Sequence, residues 1–276
     1  MSDAVCEFEC FEKTPMLDQG YIQLIETWGA DERIVEAARM STGKGFNGWG
    51  GECTNPDCTN GAIAVGEVQD DVEYKPCSTC GGSGHISGDE KLLAYLYNNK
   101  HSTPFEMAGL VIEVKAPIFV YREWHRHRTQ SYNEMSARYI PLPDENYVPT
   151  MERLMLGANT ATTNKQAQGS GVVLTEGDGL AWLAELADVY EHAQHVYERG
   201  IAIGVPKELA RLPVPVARYS RMRASANLRN WLGFLTLRMN PAAQWEIRQY
   251  ANAMGTIISQ QFPRTWDLFT AAGNKS

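Results

Sequence analysis

The sequence predicts an α+β protein whose C-terminal half is rich in helices. Short β-forming segments lie in the first half of the chain, and three long segments with apolar residues at helical spacing follow them. A glycine- and cysteine-rich segment at 46–88 has few large apolar residues and interrupts this order. No internal repeat is apparent. We therefore expect one domain over residues 1–276, with an inserted subdomain at 46–88.

Local patterns predict each element in chain order. Residues 1–16 form a loose arm or an edge strand. Pro117 suits the start of a helix, because the N–H that it lacks is not needed there, and Asp178 is placed to cap another helix. Small polar residues predict a mobile loop at 156–178. The predicted strands are 20–27 and 108–115, and the predicted helices are 31–40, 89–98, one beginning at 117, 180–200, 227–237 and 242–260.

The composition excludes several classes of protein. The net charge is −8, which opposes a general nucleic-acid binder, since such proteins need a broad basic surface. No apolar run approaches the roughly 18 residues that span a bilayer. The N-terminal residues are acidic and lack the basic and apolar regions of a signal peptide. We expect a cytoplasmic protein without nucleic-acid or membrane partners.

The arginines are unevenly distributed along the chain. Four lie between 122 and 138 and seven between 211 and 248, which together are 11 of the 16 arginines. Guanidinium groups bind phosphates and carboxylates bidentately. Two interpretations stay open at this point: salt bridges at a helix or subunit interface, or a pocket for small anionic ligands.

The segment 117–139 concentrates cationic and polar side chains. Like charges this close repel one another unless anions or carboxylates neutralise them. In an extended segment Arg126 and Arg128 would face one side and His127 the other, so that one loop could contact two ligands.

Further polar residues follow in the same segment. Glu134 and Arg138 are four residues apart, which would form a weak surface ion pair if the segment were helical. A group of side chains that could read the hydrogen-bonding edge of a heterocycle consists of Ser131, Asn133, Glu134 and Ser136.

This region resembles the signature of flavin-dependent thymidylate synthases. Arg126-His127-Arg128 is followed after seven residues by Ser136, as in the family motif, and Arg138-Tyr139 continue the likeness. A lone RHR would be weak, but other segments fall in the family's order between about 20 and 270, apart from 46–88. These segments are Ala38-Arg39-Met40-Ser41, His101-Ser102-Thr103-Pro104-Phe105-Glu106, Ala210-Arg211, Asn227-Leu228-Arg229, Leu237-Arg238 and Gln244-Trp245-Glu246.

The resemblance implies a flavin-dependent thymidylate synthase fold, α+β with an antiparallel sheet, and the activity of that family. Such enzymes convert dUMP to dTMP, with methylenetetrahydrofolate as carbon donor, FAD as hydride carrier and NADPH as reductant. It also implies a homotetramer with FAD at the subunit interfaces. The ligands are all anionic, which gives the arginine excess a purpose, because fixed guanidinium groups offset clustered negative charge.

The resemblance also implies the site residues. Arg238 would act on the uracil ring, and its role would be electrostatic, since arginine stays protonated. Arg211 would bind the phosphate, and Ser136 would hold substrate rather than attack it. The residues around dUMP would be Glu123, Arg126, Glu134, Ser136, Ala137, Arg138, Arg211 and Arg238. The residues around FAD would be Ser41, His101, Thr103, Glu106, Arg126, His127, Arg128, Glu134, Asn227, Arg229 and Gly233, with His101 also near the folate.

Three positions depart from the family pattern. Gly233 stands where the family often has Asn, Ala242 where it often has His, and Glu123 where it often has Gln. The first two motivate an alternative, a catalytically impaired flavoprotein of the same fold. Glu123 would be unfavourable beside a phosphate unless it bonds a ring N–H. None of the three changes removes an arginine, so activity remains the expectation.

Four cysteines in the inserted segment have the spacing of a tetrahedral zinc site. Cys53-x4-Cys58 and Cys77-x2-Cys80 are separated by 18 residues. The segment lacks a core of its own, and a structural zinc ion would supply the missing cross-link. The run CSTCGGSG is locally similar to a zinc-binding repeat of DnaJ-type chaperones. Disulfides, free thiols or the replacement of one cysteine by His85 stay open.

A zinc ribbon raises one further alternative, a nucleic-acid-binding protein. The inserted segment is acidic, however, and this is the wrong sign for contact with phosphates. The remaining cysteines, Cys6 and Cys10, are expected to be bystanders. A structural role is the expectation for the metal, because four cysteines leave no open coordination position.

Overall fold

The computed structural model of the chain describes residues 11–68, 71–86, 88–158 and 173–273. The chain divides into two compact units. The first comprises Met1–Thr27, Leu110–Ile257 and Asn274–Ser276, and the second comprises Trp28–Gly109 and Ile258–Gly273. The cysteine-containing segment lies within the second unit. The division into one domain with an insertion at 46–88 stays a prediction.

Strands and helices alternate irregularly along the chain. The strands are β1 (Thr14–Met16), β2 (Gly20–Trp28), β3 (Gly51–Glu52), β4 (Cys58–Thr59), β5 (Ala62–Val68), β6 (Asp71–Pro76), β7 (His85–Ile86), β8 (Gly109–Pro117), β9 (Ser131–Glu134) and β10 (Tyr219–Asn227). The helices are α1 (Asp31–Arg39), α2 (Glu90–Asn98), α3 (Ile118–Trp124), α4 (Met151–Ala158), α5 (Glu176–Ala202), α6 (Lys207–Ala210), α7 (Leu228–Arg238), α8 (Trp245–Gln261) and α9 (Pro263–Ala271).

A five-stranded sheet in the order β1-β2-β8-β10-β9 organises the first unit. β1 pairs antiparallel with β2, with Thr14 opposite Ile22, and β9 pairs antiparallel with β10, with Glu134 opposite Met222. Side chains alternate between buried and more exposed along most of β10, as in a sheet with one covered face. The predicted α+β fold with an antiparallel sheet is confirmed, and the two predicted strands correspond to β2 and β8.

Aromatic side chains fill the core of the first unit. Trp124, in the last turn of α3, packs on Phe234 of α7 with ring centroids 4.6 Å apart. Trp231 of α7 donates its indole N–H to the carbonyl of Leu110 in β8, at 3.1 Å. The three aromatic side chains are fully buried. Because protein cores pack densely, these contacts fix α3 and α7 against the sheet and position the residues at their C-terminal ends.

In the second unit, α1, α2 and α9 pack together, and Asp31 joins two of them. Its buried carboxylate accepts hydrogen bonds from the backbone N–H of Arg264 (2.8 Å) and from the backbone N–H (3.2 Å) and hydroxyl (2.6 Å) of Thr265. These donors lie in the first turn of α9, where backbone N–H groups lack partners within the helix. A residue at the start of α1 therefore caps a helix near the end of the chain.

The inserted segment forms two small sheets. β3 pairs antiparallel with β7, with Gly51 opposite Ile86, and β4, β5 and β6 form an antiparallel three-stranded sheet. Tyr74 of β6 is 60% exposed, and Val65 and Val72 are also exposed. In the described part of 51–86, the one buried hydrophobic residue is Cys77. The prediction that this segment has no core of its own is confirmed.

The predicted helices correspond to α1, α2, α3, α5, α7 and α8, but two local predictions need correction. Thr175, not Asp178, is the N-cap of α5, because Thr175 Oγ1 accepts from the N–H of Asp178 at 3.1 Å. The predicted loop 156–178 is helical at both ends, in α4 and α5, and its centre at 159–172 lies outside the described residues. Of the helices described, none combines the length and apolar character needed to cross a membrane.

Candidate active site

Three hydrogen bonds hold the guanidinium of Arg238, the last residue of α7. Nη1 donates to the carboxylate of Glu123 at 2.7 Å, Nη2 to the main-chain carbonyl of Glu123 at 2.9 Å, and Nε to Nε2 of His127 at 2.9 Å. The Arg238 side chain is only 14% exposed. A guanidinium has five N–H donors. Two of them have no acceptor among the described residues and are available to a ligand.

His127 is an uncharged hydrogen-bond acceptor in this arrangement. Its Nε2 accepts from Arg238, which places the proton of the neutral ring on Nδ1. Burial, together with the positive charge of Arg238, lowers the pKa of His127 to about 4. The edge-on ring of Phe234 lies beside it, with centroids 4.9 Å apart. The histidine therefore orients the arginine without adding a second positive charge.

The Arg126-His127-Arg128 segment is a turn that follows α3, so the extended conformation considered from the sequence is wrong. The N–H of His127 donates to the carbonyl of Trp124 at 3.0 Å, and the N–H of Gln130 donates to the carbonyl of His127 at 3.3 Å. Arg126 and Arg128 are exposed, whereas His127 is half-buried. The turn nevertheless places the two arginines at the surface and the histidine partly in the interior.

A pocket of about 350 Å³ in the first unit collects half of the residues predicted around dUMP. Glu134 at the end of β9, Ser136 and Ala137 in the turn after it, and Arg211 after α6 line this pocket. Its volume lies within the range of small-ligand sites. The remaining lining residues, which sequence reasoning missed, are Ile118, Met135, Leu142, Val214 and Ser220.

Ser220 is the polar member of this missed group. Its side chain is 2% exposed, and its Oγ has no hydrogen-bond partner among the described residues. A buried hydroxyl without a partner costs about 1–3 kcal/mol, and a polar ligand in the pocket would relieve that cost. The serine lies within β10 with no motif around it, so only the fold identifies it as part of the pocket.

Two arginines predicted around dUMP, Arg138 and the predicted phosphate ligand Arg211, meet at Glu208 of α6. Arg138 Nε lies 3.6 Å from the Glu208 carboxylate, and both side chains are more than half exposed. Arg211 Nε donates to the main-chain carbonyl of Glu208 at 3.3 Å. The helical pair of Glu134 and Arg138 is wrong, because Glu134 ends a strand and Arg138 lies beyond it. Exposed ion pairs are weak, so an anionic ligand can compete with Glu208 for Arg138.

Two other arginines, Arg218 and Arg223, bind groups of the protein itself. The interpretation of the arginines as an anion pocket therefore applies to fewer residues. Arg218 is fully buried, and it donates to the carbonyl of Pro143 at 2.6 Å and to the side chain of Gln194 at 2.8 Å. Arg223 pairs with Glu113 at 3.2 Å on the sheet. The salt-bridge interpretation therefore applies to Arg218 and Arg223, and the anion-pocket interpretation stays a prediction for the other arginines.

A second pocket, of about 510 Å³, lies wholly within the second unit. It contains three residues predicted around FAD, namely Ser41, His101 and Thr103. Arg39 and Lys44 add positive charge, and Thr42 and Ser102 add hydroxyl groups. Arg39 forms an ion pair with the buried Asp89, but its Nε is buried without a partner among the described residues. The full lining is Ala38, Arg39, Ser41, Thr42, Lys44, Leu92, Leu96, His101, Ser102, Thr103 and Pro104.

Of the other residues predicted around FAD, Glu134 lines the first pocket and the rest lie outside both pockets. Asn227 is the N-cap of α7, where its Oδ1 accepts from the N–H of Asn230 at 3.0 Å. Arg229 and Gly233 lie in the same helix, and Gly233 is exposed with open space where a Cβ would stand. Glu106 ends a short 3-10 turn at Thr103–Glu106. Ala242, which also departs from the family pattern, lies between α7 and α8.

The four cysteines of the inserted segment come together in space. The sulfur atoms of Cys53, Cys58, Cys77 and Cys80 all lie within 4.8 Å of one another, and none forms a disulfide. His85 is not part of this group. Cys6 and Cys10, expected to be bystanders, lie outside the described residues.

Comparison with known proteins shows the family. The model of the thymidylate synthase complementing protein family (Thy1) matches residues 23–264. A flavin-dependent thymidylate synthase of Thermus thermophilus is 35% identical over 255 residues, which cover 92% of this chain and 77% of that protein. The chain belongs to the flavin-dependent thymidylate synthase family. A family member from Thermotoga neapolitana is 32% identical over 257 residues, which cover 93% of this chain and 94% of that protein.

Solved structures of a UMP/dUMP methylase have a similar fold. The UMP/dUMP methylase PolB from Streptomyces cacaoi, solved with 5-Br UMP, has a TM-score of 0.70 and 29% sequence identity, and the match covers 95% of this chain and 98% of that one. The resemblance inferred from the motifs is therefore confirmed, and the protein is an enzyme. Membership of the flavin-dependent thymidylate synthase family favours an enzyme over the alternative of a nucleic-acid-binding protein.

Proposed function

We propose that the chain converts dUMP to dTMP, with methylenetetrahydrofolate as carbon donor and with FAD reduced by NADPH as the source of hydride. The observation that carries the proposal is the pocket that holds Glu134, Ser136, Ala137 and Arg211 together. Relatives are named flavin-dependent thymidylate synthases, and PolB was solved with 5-Br UMP and with 5-Br dUMP.

Arg211 and Arg138 bind the phosphate of dUMP in this proposal. Both lie beside the same residue, Glu208, and both are exposed enough to reach a ligand. A phosphate can accept bidentate hydrogen bonds from guanidinium groups, which would release Arg138 from Glu208. Ser136 and the buried Ser220 offer hydroxyl groups inside the pocket. Arg126 is exposed and serves either dUMP or FAD.

FAD fits the pocket of the second unit by its chemistry. The buried Nε of Arg39 lacks an acceptor among the described residues, and Lys44 and several hydroxyl groups surround the same space. Such donors suit a pyrophosphate. Ser41, His101 and Thr103 would hold the cofactor here, whereas the proposed contacts of Glu106, His127, Arg128, Asn227, Arg229 and Gly233 rest on the family alone. When bound, FAD would supply hydride to the pyrimidine.

Arg238 stabilises negative charge that develops on the uracil ring when hydride arrives. Its guanidinium is fixed in advance by Glu123 and His127, so no reorganisation is needed during the reaction. Two N–H groups remain for the ring.

Ser136 binds substrate and is not a nucleophile in this proposal. A serine nucleophile needs a base within hydrogen-bond reach. Ser136 Oγ accepts a hydrogen bond from the main-chain N–H of Arg138 at 3.3 Å, and this group is a donor and not a base. The four cysteines take no part in the reaction. The homotetramer with FAD at subunit interfaces, the folate and NADPH sites and the cytoplasmic location stay predictions.

The test is a turnover assay on the purified full-length chain. The protein is incubated with FAD, NADPH, methylenetetrahydrofolate and either dUMP or UMP, and the nucleotides are separated and quantified. We expect dTMP that depends on every component. Arg238→Ala should lower kcat by about 10²- to 10³-fold, the usual loss when one electrostatic donor is removed. Arg223→Ala, which removes an exposed pair with Glu113, is the matched control and should keep full activity.

Three results would change the proposal. Methylation of UMP in preference to dUMP would keep the reaction but change the substrate. A protein that binds FAD and oxidises NADPH, yet forms no methylated nucleotide, would favour the impaired flavoprotein motivated by Gly233 and Ala242. An Arg238→Ala enzyme with unchanged kcat would remove Arg238 from the mechanism.

A further inference from the structure

We propose that Cys53, Cys58, Cys77 and Cys80 bind one Zn²⁺ through four thiolates, and that this structural ion holds the inserted segment folded. The site is independent of the proposed reaction. It lies entirely within the second unit, in the part of the chain between β3 and β7.

The distances between sulfur atoms match a tetrahedral site. Cys53 Sγ lies 3.7 Å from Cys77 Sγ, and Cys58 Sγ lies 3.8 Å from Cys80 Sγ. Four sulfur atoms at about 2.3 Å from one zinc ion lie about 3.8 Å from one another, whereas a disulfide bond measures about 2.05 Å. All four sulfur atoms lie within 4.8 Å of one another, as one shared ligand requires.

Each pair of cysteines belongs to a tight turn of the backbone. Cys58 is followed by Asn60 and Gly61, both with positive φ, and Cys80 is followed by Gly81 and Gly82, again with positive φ. A Cβ on Gly61 would stand 2.2 Å from the carbonyl oxygen of Gly82, so only glycine allows the two turns to approach this closely.

Hydrogen bonds join the two turns and reach the sulfur atoms. The N–H of Cys77 donates to the carbonyl of Gly61 at 2.8 Å, and the N–H of Cys53 donates to the carbonyl of Gly84 at 2.8 Å. The N–H of Gly84 also points at Cys80 Sγ, at 3.3 Å. Donors around the sulfur atoms stabilise thiolates and orient metal ligands.

The segment needs a cross-link because side-chain burial cannot hold it. Cys77 is its one buried hydrophobic residue in the described part of 51–86, while Val65, Val72 and Tyr74 are exposed. Very small folding units without a core depend on metals or disulfides. A zinc ion supplies the missing folding free energy directly, because its binding to four thiolates is coupled to folding. Four thiolates also fill the tetrahedron, which leaves no open position for catalysis.

The ends of the inserted segment are held without the metal. Trp49 Nε1 donates to Glu32 at 2.6 Å, and the N–H of Gly50 donates to Glu90 at 2.7 Å. Gly50 and Gly88 approach so closely that a Cβ on Gly88 would stand 1.8 Å from the nitrogen of Gly50. Loss of the ion should therefore unfold 51–86 locally and leave the helices of the second unit in place.

The first experiment is metal analysis of the full-length protein, desalted without chelator. We expect about one zinc per chain, as a four-cysteine site binds a single ion. Cys77→Ser/Cys80→Ser should lose that zinc, and Cys6→Ser/Cys10→Ser, which removes the other two cysteines of the chain, should retain it. Iron in place of zinc, recognised by the same analysis and by a coloured protein free of flavin, would keep the tetrathiolate site but change its metal.

A second variant keeps the test decisive if Cys77→Ser/Cys80→Ser is insoluble. Replacing residues 51–87 by a Gly-Ser link between the adjacent backbones of Gly50 and Gly88 should give a folded protein that binds no zinc. Limited proteolysis of wild-type protein should cut within 51–86 only after zinc is removed by a chelator. Absence of metal from wild-type protein, or a mass four hydrogens lower because two disulfides have formed, would overturn the proposal.

Discussion

Glu123 and Arg238 form an ion pair between α3 and α7, with Nη1 2.7 Å from the carboxylate. The family resemblance implies a glutamine at position 123, and a carboxylate there would be unfavourable beside a phosphate. In this protein the carboxylate faces a cation, the guanidinium of Arg238. Its main-chain carbonyl binds the same guanidinium at 2.9 Å. Glu123 therefore holds Arg238 through both its carboxylate and its main-chain carbonyl.

Glu123→Gln and Glu123→Ala separate charge from position. The amide oxygen of Gln can still accept from Arg238, so kcat for dTMP formation should stay within about fivefold of wild type, equivalent to roughly 1 kcal/mol. Ala leaves the guanidinium less restrained, and kcat should fall by about 10- to 100-fold, as small misplacements of catalytic groups do. Steady-state kinetics with dUMP checks both. Equal rates for the two variants would show that Glu123 does not position Arg238.

The stability of the first unit should fall as the pH drops from about 6.5 towards 4, because of His127. Its pKa is lowered from 6.5 to about 4 in the folded chain, so the unfolded chain takes up this proton first. The stabilisation that comes from the neutral His127 is complete above about pH 6.5, and it is lost as the pH falls through about 4. Urea unfolding at several pH values measures it. His127→Gln, whose amide oxygen can still accept from Arg238, should reduce the slope, and an unchanged slope would assign it to other groups.

Gly233 is a replaceable glycine on the exposed face of α7. A Cβ there meets nothing within 4 Å, and glycine inside a helix costs about 0.5–1 kcal/mol relative to alanine. Gly233→Ala should raise the free energy of unfolding by about that amount, measured by urea denaturation. Gly233→Asn, the residue common in the family, should also increase the fraction of protein that retains FAD. If Asn and Ala retain FAD equally, position 233 does not contact the cofactor.

Asp31→Ala should destabilise the chain by about 2–3 kcal/mol, because α9 loses its cap and the hydroxyl and N–H of Thr265 stay buried without an acceptor. Urea unfolding followed by circular dichroism gives the value. Glu36→Ala is the control on the same helix, since its carboxylate pairs with Arg33 on the surface. That change should cost less than about 1 kcal/mol. Similar losses for both variants would contradict the capping role of Asp31.

Ser220→Ala should distinguish a substrate ligand from a passive core residue. Its hydroxyl has no partner among the described residues, so its removal should leave stability unchanged or slightly higher. If dUMP accepts or donates a hydrogen bond there, KM for dUMP should rise by about 5- to 30-fold, while NADPH oxidation in the absence of dUMP stays constant. A variant with wild-type KM would leave Ser220 outside the substrate site.

The sequence by itself determined the family, the strands β2 and β8, most of the helices and the four-cysteine cluster. These features depend on local patterns or on residue spacing. The repeat of apolar residues along the chain predicts a helix or a strand, because it reflects the period of that element. The spacing of the paired cysteines predicts that each pair lies in a tight turn. The motif from Arg126 to Arg138 identified the chemistry for the same reason, since it is a contiguous run of residues.

Only the tertiary structure decided which side chains are partners. Arg238 meets Glu123 across 115 positions of the chain, and Asp31 meets Thr265 across 234. No local pattern encodes such pairs, because the packing of α7 on α3 and of α9 on α1 creates them. The fold likewise turned His127 from a possible cation into a neutral acceptor and placed Ser220 in a pocket. Burial and the charge of Arg238 keep His127 neutral, and the packing of β10 buries Ser220; both effects depend on three-dimensional surroundings.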